Sequence, residues 1–434
     1  MTPRTVGLAR GLGRGTLSGM TSLRGRFAAR VLVVALALLG GCGDDGASAP
    51  DGPFAPGISG EALSGRIEVI VIGEDSRAPI DGAVIEVRAG SASIAESMTP
   101  GYATFEDARL EGAVTIAVRT EGRYAGTTTW AGVAADRVVI PVARASAEQS
   151  IEGRVVGADT LGAASVLAGP LVQPHLSRPS AIDDATPGAC VDEGSGACRF
   201  RASAPVEVDH VAAILRDASG EAIGFGIGEI GEGGSVEVSV LDPASRVAAI
   251  PLAMEGPLPL PPVGLDAVVG VPGIATSHGI SLLPQTAGEG GVLAVPELSG
   301  ALADATWWVM AQAYDSANDG GARSVVLLRH LTSPDAVGRL PAFLALPEVT
   351  VARDTGITVG AVAGAAMIVI ECEDASGDRA ITTVLGGASG PLASECVGAV
   401  RVRAVDATGA TGSALDLDGV ERVAMRFSEV VVTR

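Results

Sequence analysis

The sequence predicts an all-β protein made of tandem β-sandwich domains that follow a signal peptide and a flexible tether. Short Val- and Ile-rich runs alternate with Gly, Pro and Asp turn signals along most of the chain, which is typical of sandwich strands. Hydrophobic residues make up 47% of the chain and aromatic residues only 3%. Val, Ile, Leu and Ala must therefore fill the cores, and Val-rich cores favour sheets. Amphipathic helical spacing is nearly absent apart from residues 297–303.

Residues 1–41 have the pattern of an export signal. Three arginines precede the apolar run 31–39, which is too short to remain in a bilayer as a spanning helix. The following Leu39-Gly40-Gly41-Cys42 resembles the lipobox of bacterial lipoproteins, in which the cysteine is acylated and becomes the new N-terminus. The resemblance implies that Cys42 is a lipid anchor and that Gly43, in place of an aspartate, favours the outer membrane. Met20 is an alternative start, because a complete signal follows it.

Residues 42–62 are rich in Gly, Pro, Ser and Ala. Such a stretch buries little apolar area, so we expect a flexible tether that holds the folded part away from the membrane.

Residues 63–146 are predicted to form the first sandwich, because Val/Ile runs recur at 67–71, 83–87, 113–118 and 137–142. Pro79 and Gly82 should set a turn before an edge strand, and Gly101 should open a hairpin that leads to a buried Phe105. Together with Ser64-Gly65-Arg66-Ile67, these segments resemble the carboxypeptidase regulatory-like domain. That resemblance implies a transthyretin-like β-sandwich and an accessory module without catalysis.

Residues 147–251 are predicted to form a second sandwich. Residues 151–156 repeat the opening of the first module, and strands are expected at 208–216, 222–226 and 235–240, with a hairpin turn at 217–220. Residues 252–263 contain a Pro-rich stretch and are predicted to be a stiff linker.

Residues 264–434 are predicted to form a C-terminal β-rich region. The sequence does not decide whether this region is one sandwich or two. Its predicted strands share Val- and Ile-rich composition and lie at 307–311, 324–328, 367–370, 400–405 and 423–427.

The charge of the chain excludes several classes of function. The chain has 30 basic residues, all of them arginine, and 50 acidic residues, for a net charge of −20. Removing residues 1–41 leaves 24 arginines and a net charge of −26. A chain of this sign repels phosphate backbones, so we expect no nucleic-acid partner. The absence of lysine excludes Walker-type phosphate loops, Schiff-base enzymes and Ser-Lys hydrolases.

Four cysteines besides Cys42 form two local pairs, Cys190 with Cys198 and Cys372 with Cys396. Disulfides within each pair are the simplest of the three connectivities and suit an oxidising compartment. A four-thiolate zinc site is the alternative, which the absence of C-x-x-C spacing disfavours.

Other motifs give no support for a cofactor, a metal or a catalytic site. Gly226–Gly231 matches a dinucleotide glycine pattern, but no helix is predicted after it, and a glycine-loosened hairpin fits better. Residues 315–320 match a calcium loop only in part, because Ala317 replaces a ligand. The four histidines are scattered, and residues 387–391 fail the nucleophile-elbow pattern.

Trp307 and Trp308 are neighbours in a predicted strand, so their rings should point to opposite faces of the sheet. One ring should enter the core. The other, with Tyr314, is a candidate platform for a sugar ring, although coverage by a neighbouring domain is the simpler expectation.

The sequence therefore favours a lipid-anchored cell-envelope protein with a non-catalytic binding, adhesion or structural role. Its expected partners are the membrane, through the N-terminal lipid, and a glycan or an envelope protein, and we expect a monomer. The alternatives are a carbohydrate-binding surface lipoprotein and a secreted hydrolase with a carboxylate site.

Overall fold

A computed structural model describes residues 54–74, 76–124, 126–143, 148–157, 163–172, 187–194, 197–205, 208–218, 222–239, 242–243, 247–255, 267–276, 279–283, 291–296, 298, 302–314, 322–333, 339–352, 356–373, 377–386, 391–392, 396–406, 415–416 and 424–433. All of them belong to one compact unit, residues 49–434. The signal peptide, Cys42 and most of the predicted tether lie outside the described residues.

The described residues confirm the all-β prediction, since they contain 33 strands, no α-helix and short 3-10 turns at Gly122–Tyr124 and Glu232–Gly234. The first eight strands are β1 Gly57–Ala62, β2 Ser64–Gly73, β3 Ala83–Ala89, β4 Ala92–Thr99, β5 Tyr102–Glu111, β6 Val114–Thr120, β7 Gly126–Val133 and β8 Ala135–Val142.

The middle of the chain supplies β9 Glu148–Val156, β10 Ser165–Pro170, β11 Gly188–Ala189, β12 Val191–Gly194, β13 Ala197–Pro205, β14 His210–Arg216, β15 Ala222–Glu229, β16 Ser235–Ser239, β17 Asp242–Pro243, β18 Val247–Pro251 and β19 Ala253–Met254. The C-terminal region supplies β20 Ala267–Thr276, β21 Gly279–Leu282, β22 Val292–Pro296, β23 Thr306–Tyr314, β24 Ala322–Leu331, β25 Arg339–Leu340, β26 Val349–Ala352, β27 Gly356–Val359, β28 Met367–Glu373, β29 Arg379–Leu385, β30 Pro391–Leu392, β31 Val397–Asp406, β32 Leu415–Asp416 and β33 Ala424–Thr433.

The first eight strands form the N-terminal sandwich. One layer has the order β32-β1-β8-β2-β5, and the other is the β7-β6-β3-β4 end of a longer sheet. Alternate residues of the strands point inward, so that Ile67, Ile85 and Ile116 are fully buried. Phe105 is 6% exposed, as predicted.

The turn predictions for this sandwich are confirmed at one place and wrong at another. Gly101 precedes β5 with φ +82°, and a Cβ there would lie 2.5 Å from the backbone nitrogen of Ile80, so only glycine fits. Pro79 and Gly82 do precede β3, but β3 lies between β6 and β4 and is not an edge strand.

The predicted tether ends earlier than residue 62, which corrects the sequence prediction. Residues 57–62 form β1, which pairs with β8 on one side and with β32 on the other. Ile58 is only 3% exposed. Burial of this side chain and the β8 hydrogen bonds hold the segment on the sheet, which local composition did not indicate.

The second sandwich packs the sheet β12-β13-β9-β16 against the sheet β11-β10-β14-β15-β17. The predicted strands at 151–156, 208–216, 222–226 and 235–240 all occur, with shifted ends, and β14 and β15 are antiparallel as the predicted hairpin requires.

The glycine pattern at 226–231 is not a hairpin, which corrects that prediction. β15 and β16 belong to different sheets, so the chain crosses from one layer of the sandwich to the other through the turn Glu232–Gly234. A Cβ at Gly228 would lie 2.8 Å from the carbonyl oxygen of Glu237 and 2.9 Å from side-chain atoms of Val236 and Val238. Glycine therefore permits the two layers to approach closely.

One 12-stranded sheet joins the N-terminal sandwich to the C-terminal region, in the order β21-β20-β23-β24-β33-β31-β28-β29-β7-β6-β3-β4. The joint is a parallel pairing of β29 with β7. This sheet does not stop at the predicted domain boundaries.

Part of the predicted linker is packed structure. Leu252 is 1% exposed, and β19 pairs with β25, so residues 252–255 belong to the folded body. Residues 256–263 lie outside the described part.

Both faces of this long sheet are covered by apolar residues. Met367, Val369 and Phe427 point into the large core shared with both sandwiches. On the opposite face, one cluster includes Trp307 and Phe343, and another includes Ile368, Val402 and the short sheet β26-β27-β30.

Gly126→Ala should destabilise the joint between β7 and β29. Gly126 has φ +147°, and a Cβ there would lie 2.6 Å from the carbonyl oxygen of Arg379. Backbone strain and the forced shift should together lower the free energy of unfolding by about 2 to 3 kcal/mol, measured by chemical denaturation. The control is Gly112→Ala, where φ is +70° but a Cβ meets nothing within 4 Å. It should lose only about 1 kcal/mol, and equal losses at the two sites would refute the contact.

Candidate functional site

The two tryptophans do not form a platform for a sugar ring, which corrects that hypothesis. Their rings do point to opposite faces of β23, as predicted, but Trp308 is fully buried in the large core and Trp307 is 8% exposed within the second cluster. Trp308 lies over Gly273 of β20, where a Cβ would be 2.0 Å from its indole nitrogen. Tyr314 is half-buried at the end of β23. Both faces of the sheet are covered, so neither ring reaches solvent as a flat surface.

Both predicted disulfides are confirmed. Cys190–Cys198 closes the hairpin of β12 and β13, with the Cα atoms 5.6 Å apart. Cys372–Cys396 links β28 to the start of β31, with the Cα atoms 5.5 Å apart, and both cysteines are buried. These cysteines are therefore cross-links rather than metal ligands.

The other sequence motifs and histidines lie partly within and partly outside the described residues. The partial calcium loop at 315–320, His175, His278 and residues 387–390 lie outside the described part. His210 makes a 2.7 Å contact from Nδ1 to Oδ1 of Asp209. Within the described ranges, no group of three or more His, Cys, Asp or Glu side chains could hold a metal ion, and none of the helical turns is a candidate membrane-spanning segment.

The 12-stranded sheet contains a buried arginine–glutamate cluster. Arg403 of β31 is fully buried, and its guanidinium donates from Nε to Glu429 of β33 and from Nη1 to Oε2 of Glu371, 2.9 Å away in β28. Glu429 also pairs with Arg323 at 3.3 Å and with Arg401 at 3.6 Å.

The cluster ties five neighbouring strands together, since Arg379 of β29 completes it with a 2.9 Å bond from Nε to Oε1 of Glu371. Guanidinium groups keep their protons at all physiological pH values, and both carboxylates are engaged by arginines. The arrangement therefore fixes the positions of β24, β33, β31, β28 and β29 and is not suited to proton transfer. Nη2 of Arg403 has no hydrogen-bond partner among the described residues.

Glu371→Gln should reduce the acid sensitivity of the fold. Burial alone would raise the pKa of Glu371, but Arg379 and Arg403 hold it below its ordinary value of 4.5. Because the folded pKa is depressed, the stabilisation is complete above the unfolded value and is lost as pH falls through the folded pKa. Thermal melts across this acid range should therefore show a flatter pH dependence for Glu371→Gln. An unchanged slope would refute the role of this carboxylate.

This cluster was not predicted from the sequence, although a signal for it was present. Arg401 and Arg403 alternate with valines in β31 and so lie on one face of the strand. Charged residues inside a strand that is apolar on both faces must find buried partners. The partner carboxylates lie in other strands, and only the fold shows which ones.

A small apolar cavity lies between β14, β15 and β20. Its volume is about 20 Å³, and Ile214, Phe225, Ile274 and Leu302 contribute to its lining. Oγ of Ser281 is buried in this lining and has no hydrogen-bond partner among the described residues. The space is sufficient for about one water molecule and is too small for an organic substrate.

The edges of the N-terminal sandwich are its clearest interaction surfaces, because the chain itself uses two of them for strand addition. β29 adds in parallel to β7 over five residue pairs, from Ala380–Thr127 to Val384–Ala131. β32 adds to β1 at Gly57 and Ile58. Strand addition supplies affinity through main-chain hydrogen bonds, which any extended polypeptide can make.

Comparisons with known proteins place the chain in no family. No protein-family model matches it, and no curated protein is similar to it. Among solved structures, it is similar to the TIE protein of Bacillus anthracis, with a TM-score of 0.17, 14% identity, and coverage of 58% of this chain and 45% of that chain. This chain thus spans less than half of that protein's length.

Two further solved structures are similar at the same low level. A putative adhesin from Bacteroides ovatus has a TM-score of 0.15, 8% identity, and coverage of 41% of this chain and 82% of that chain. SpuA, a multi-modular glycogen-degrading pneumococcal virulence factor, has a TM-score of 0.13, 7% identity, and coverage of 61% of this chain and 38% of that chain.

Proposed function

We propose that this is a lipid-anchored protein of the bacterial cell envelope, with a non-catalytic binding, adhesion or structural role. The observation that carries the proposal is a layered all-β body cross-linked by Cys190–Cys198 and Cys372–Cys396. Disulfides persist in exported proteins, because cytosolic thiols are kept reduced. The lipobox-like segment that ends at Cys42 supplies the expected anchor.

The buried polar cluster holds neighbouring strands together, which suits a structural or binding role. The arginines and glutamates of the buried cluster are paired with one another, and the cavity beside Ser281 is too small for a substrate. The surfaces available for partners are sheet edges and exposed faces. A glycan platform at Trp307 and Trp308 has no support from their burial.

Mass spectrometry of the N-terminal peptide from fractionated cells tests the anchor. The expected result is a mature protein that begins at acylated Cys42 and sediments with the membrane. Cys42→Ser is the control, and it should be recovered without acylation. An unmodified Cys42 in a soluble fraction of the natural protein would overturn the localisation.

Incubation of the purified protein with panels of glycans and peptides tests the non-catalytic role. Product formation should not exceed that of a blank. Turnover that rises in proportion to protein concentration would contradict the proposal.

A further inference from the structure

The disulfide Cys190–Cys198 lies at an edge of the second sandwich. Cys190 connects β11, an edge strand of one layer, to β12, an edge strand of the other layer. Its sulfur is bonded to Cys198 in β13, and its backbone N–H donates to the carbonyl oxygen of Val166 in β10 at 2.9 Å. The disulfide therefore fastens the segment that passes from one layer to the other.

The backbone pairing of this segment is short. β11 pairs with β10 at two residue pairs, and β12 pairs with β13 at three pairs that include a register shift. The neighbours of Cys190 in both strands are exposed, and Val191 is 70% exposed. Short pairing and exposed side chains are properties of segments that open locally without unfolding of the whole protein.

The second disulfide has the opposite surroundings. Cys372 and Cys396 are 6% and 5% exposed and belong to the apolar cluster that includes the short sheet β26-β27-β30. Cys372 lies in β28, which has β29 on one side and β31 on the other. A reductant reaches this bond only when this part of the 12-stranded sheet opens.

We propose that Cys190–Cys198 is a thiol-exchange site, at which an external dithiol opens the edge of the second sandwich. One thiolate of the dithiol attacks Sγ of Cys190, which is half-buried, whereas Cys198 is 5% exposed. A mixed disulfide forms, the Cys190–Cys198 bond breaks, and Cys198 leaves as a thiolate that takes up a proton. The second thiolate of the dithiol then displaces Cys190 in the same way. The two cysteines gain two electrons, and the dithiol is oxidised to a disulfide.

Reduction should change this edge and leave the body folded. Once the bond is broken, the short pairing of β11 and β12 is what remains in place of the cross-link, so residues 188–194 should open and uncover the edges of β10 and β13. β10 keeps six residue pairs with β14, and β13 keeps nine with β9, so both layers stay intact. The inference goes beyond the proposed function and does not depend on the lipid anchor.

Timed reduction of the full chain carrying Cys42→Ser, with both disulfides formed, tests the site. The protein is incubated with dithiothreitol without denaturant, free thiols are alkylated with iodoacetamide, and peptide mass spectrometry gives the reduced fraction of each pair. Cys190 and Cys198 should be alkylated at least about 100-fold faster than Cys372 and Cys396, because only the second pair must wait for the sheet to open. Equal rates, the reverse order, or resistance of both pairs until denaturant is added would overturn the proposal.

Hydrogen exchange separates opening of the edge from unfolding. After reduction, the amides of residues 188–194 should exchange faster, while those of β14 and β31 keep their protection. The double variant Cys190→Ser/Cys198→Ser should show the same pattern without reductant, and Cys372→Ser/Cys396→Ser is the matched control that should leave residues 188–194 protected. Unchanged exchange at residues 188–194, or loss of protection throughout the reduced protein, would contradict the local opening.

Discussion

Arg403→Met should lower the free energy of unfolding by about 3 to 5 kcal/mol. Arg403 is 0% exposed and bonds both Glu371 and Glu429, which are themselves largely or fully buried. Methionine fills much of the volume but leaves two carboxylates without their shared cation. The loss arises because each buried carboxylate then has fewer cations to offset its burial, with Arg379 left beside Glu371 and Arg323 and Arg401 left beside Glu429. Chemical denaturation measures it.

A matched control distinguishes the effect of burying an ion pair from the effect of the ion pair itself. Arg201 of β13 pairs across strands with Glu152 of β9 at 2.9 Å, but their side chains are 72% and 58% exposed. Arg201→Met should change the stability by no more than about 0.5 kcal/mol. A loss below about 1 kcal/mol for Arg403→Met would contradict the buried-cluster interpretation.

Trp308→Ala should lower the free energy of unfolding by about 3 to 5 kcal/mol, because it removes a fully buried aromatic ring and leaves a cavity above Gly273. Trp308→Phe should lose much less. The indole N–H of Trp308 has no hydrogen-bond partner among the described residues, so phenylalanine removes no bond and keeps most of the packing. Denaturation of the purified variants gives both values.

The same variants test the sugar-platform hypothesis. If Trp308 is a core residue, Trp308→Phe should leave retention on insoluble glycans unchanged, and Tyr314→Ala, at a half-buried position, should cost only about 1 kcal/mol. Normal stability of Trp308→Ala combined with lost glycan retention would show that the ring is a binding surface after all.

Local sequence was sufficient for the strands and the cross-links. Short Val- and Ile-rich runs between turn signals marked segments such as β14 and β31, because β-branched side chains favour strands. The disulfides were predictable because their cysteines are separated by only 8 and 24 residues. The buried Phe105 was predictable for a related reason, since a glycine turn precedes its strand.

Long-range features could not be predicted in the same way. The strand formed by residues 57–62 was assigned to the tether, because its composition is that of a linker and its partners β8 and β32 come later in the chain. The crossing from β15 to β16 was predicted to be a hairpin, because a glycine-rich segment can form either a hairpin or a connection between two sheets. Arg401 and Arg403 were seen only as strand residues, since their carboxylates are supplied by β28 and β33.

The all-β class, the positions of most strands and the pairing of the cysteines follow from local sequence. Those properties depend on Val- and Ile-rich composition and on short separations along the chain. Only the fold shows that β29 extends the N-terminal sandwich and that both tryptophan rings are covered. Strands pair at sheet edges through main-chain groups that every residue carries. Which strand becomes the partner therefore depends on the packing of whole layers, and no local sequence pattern marks it.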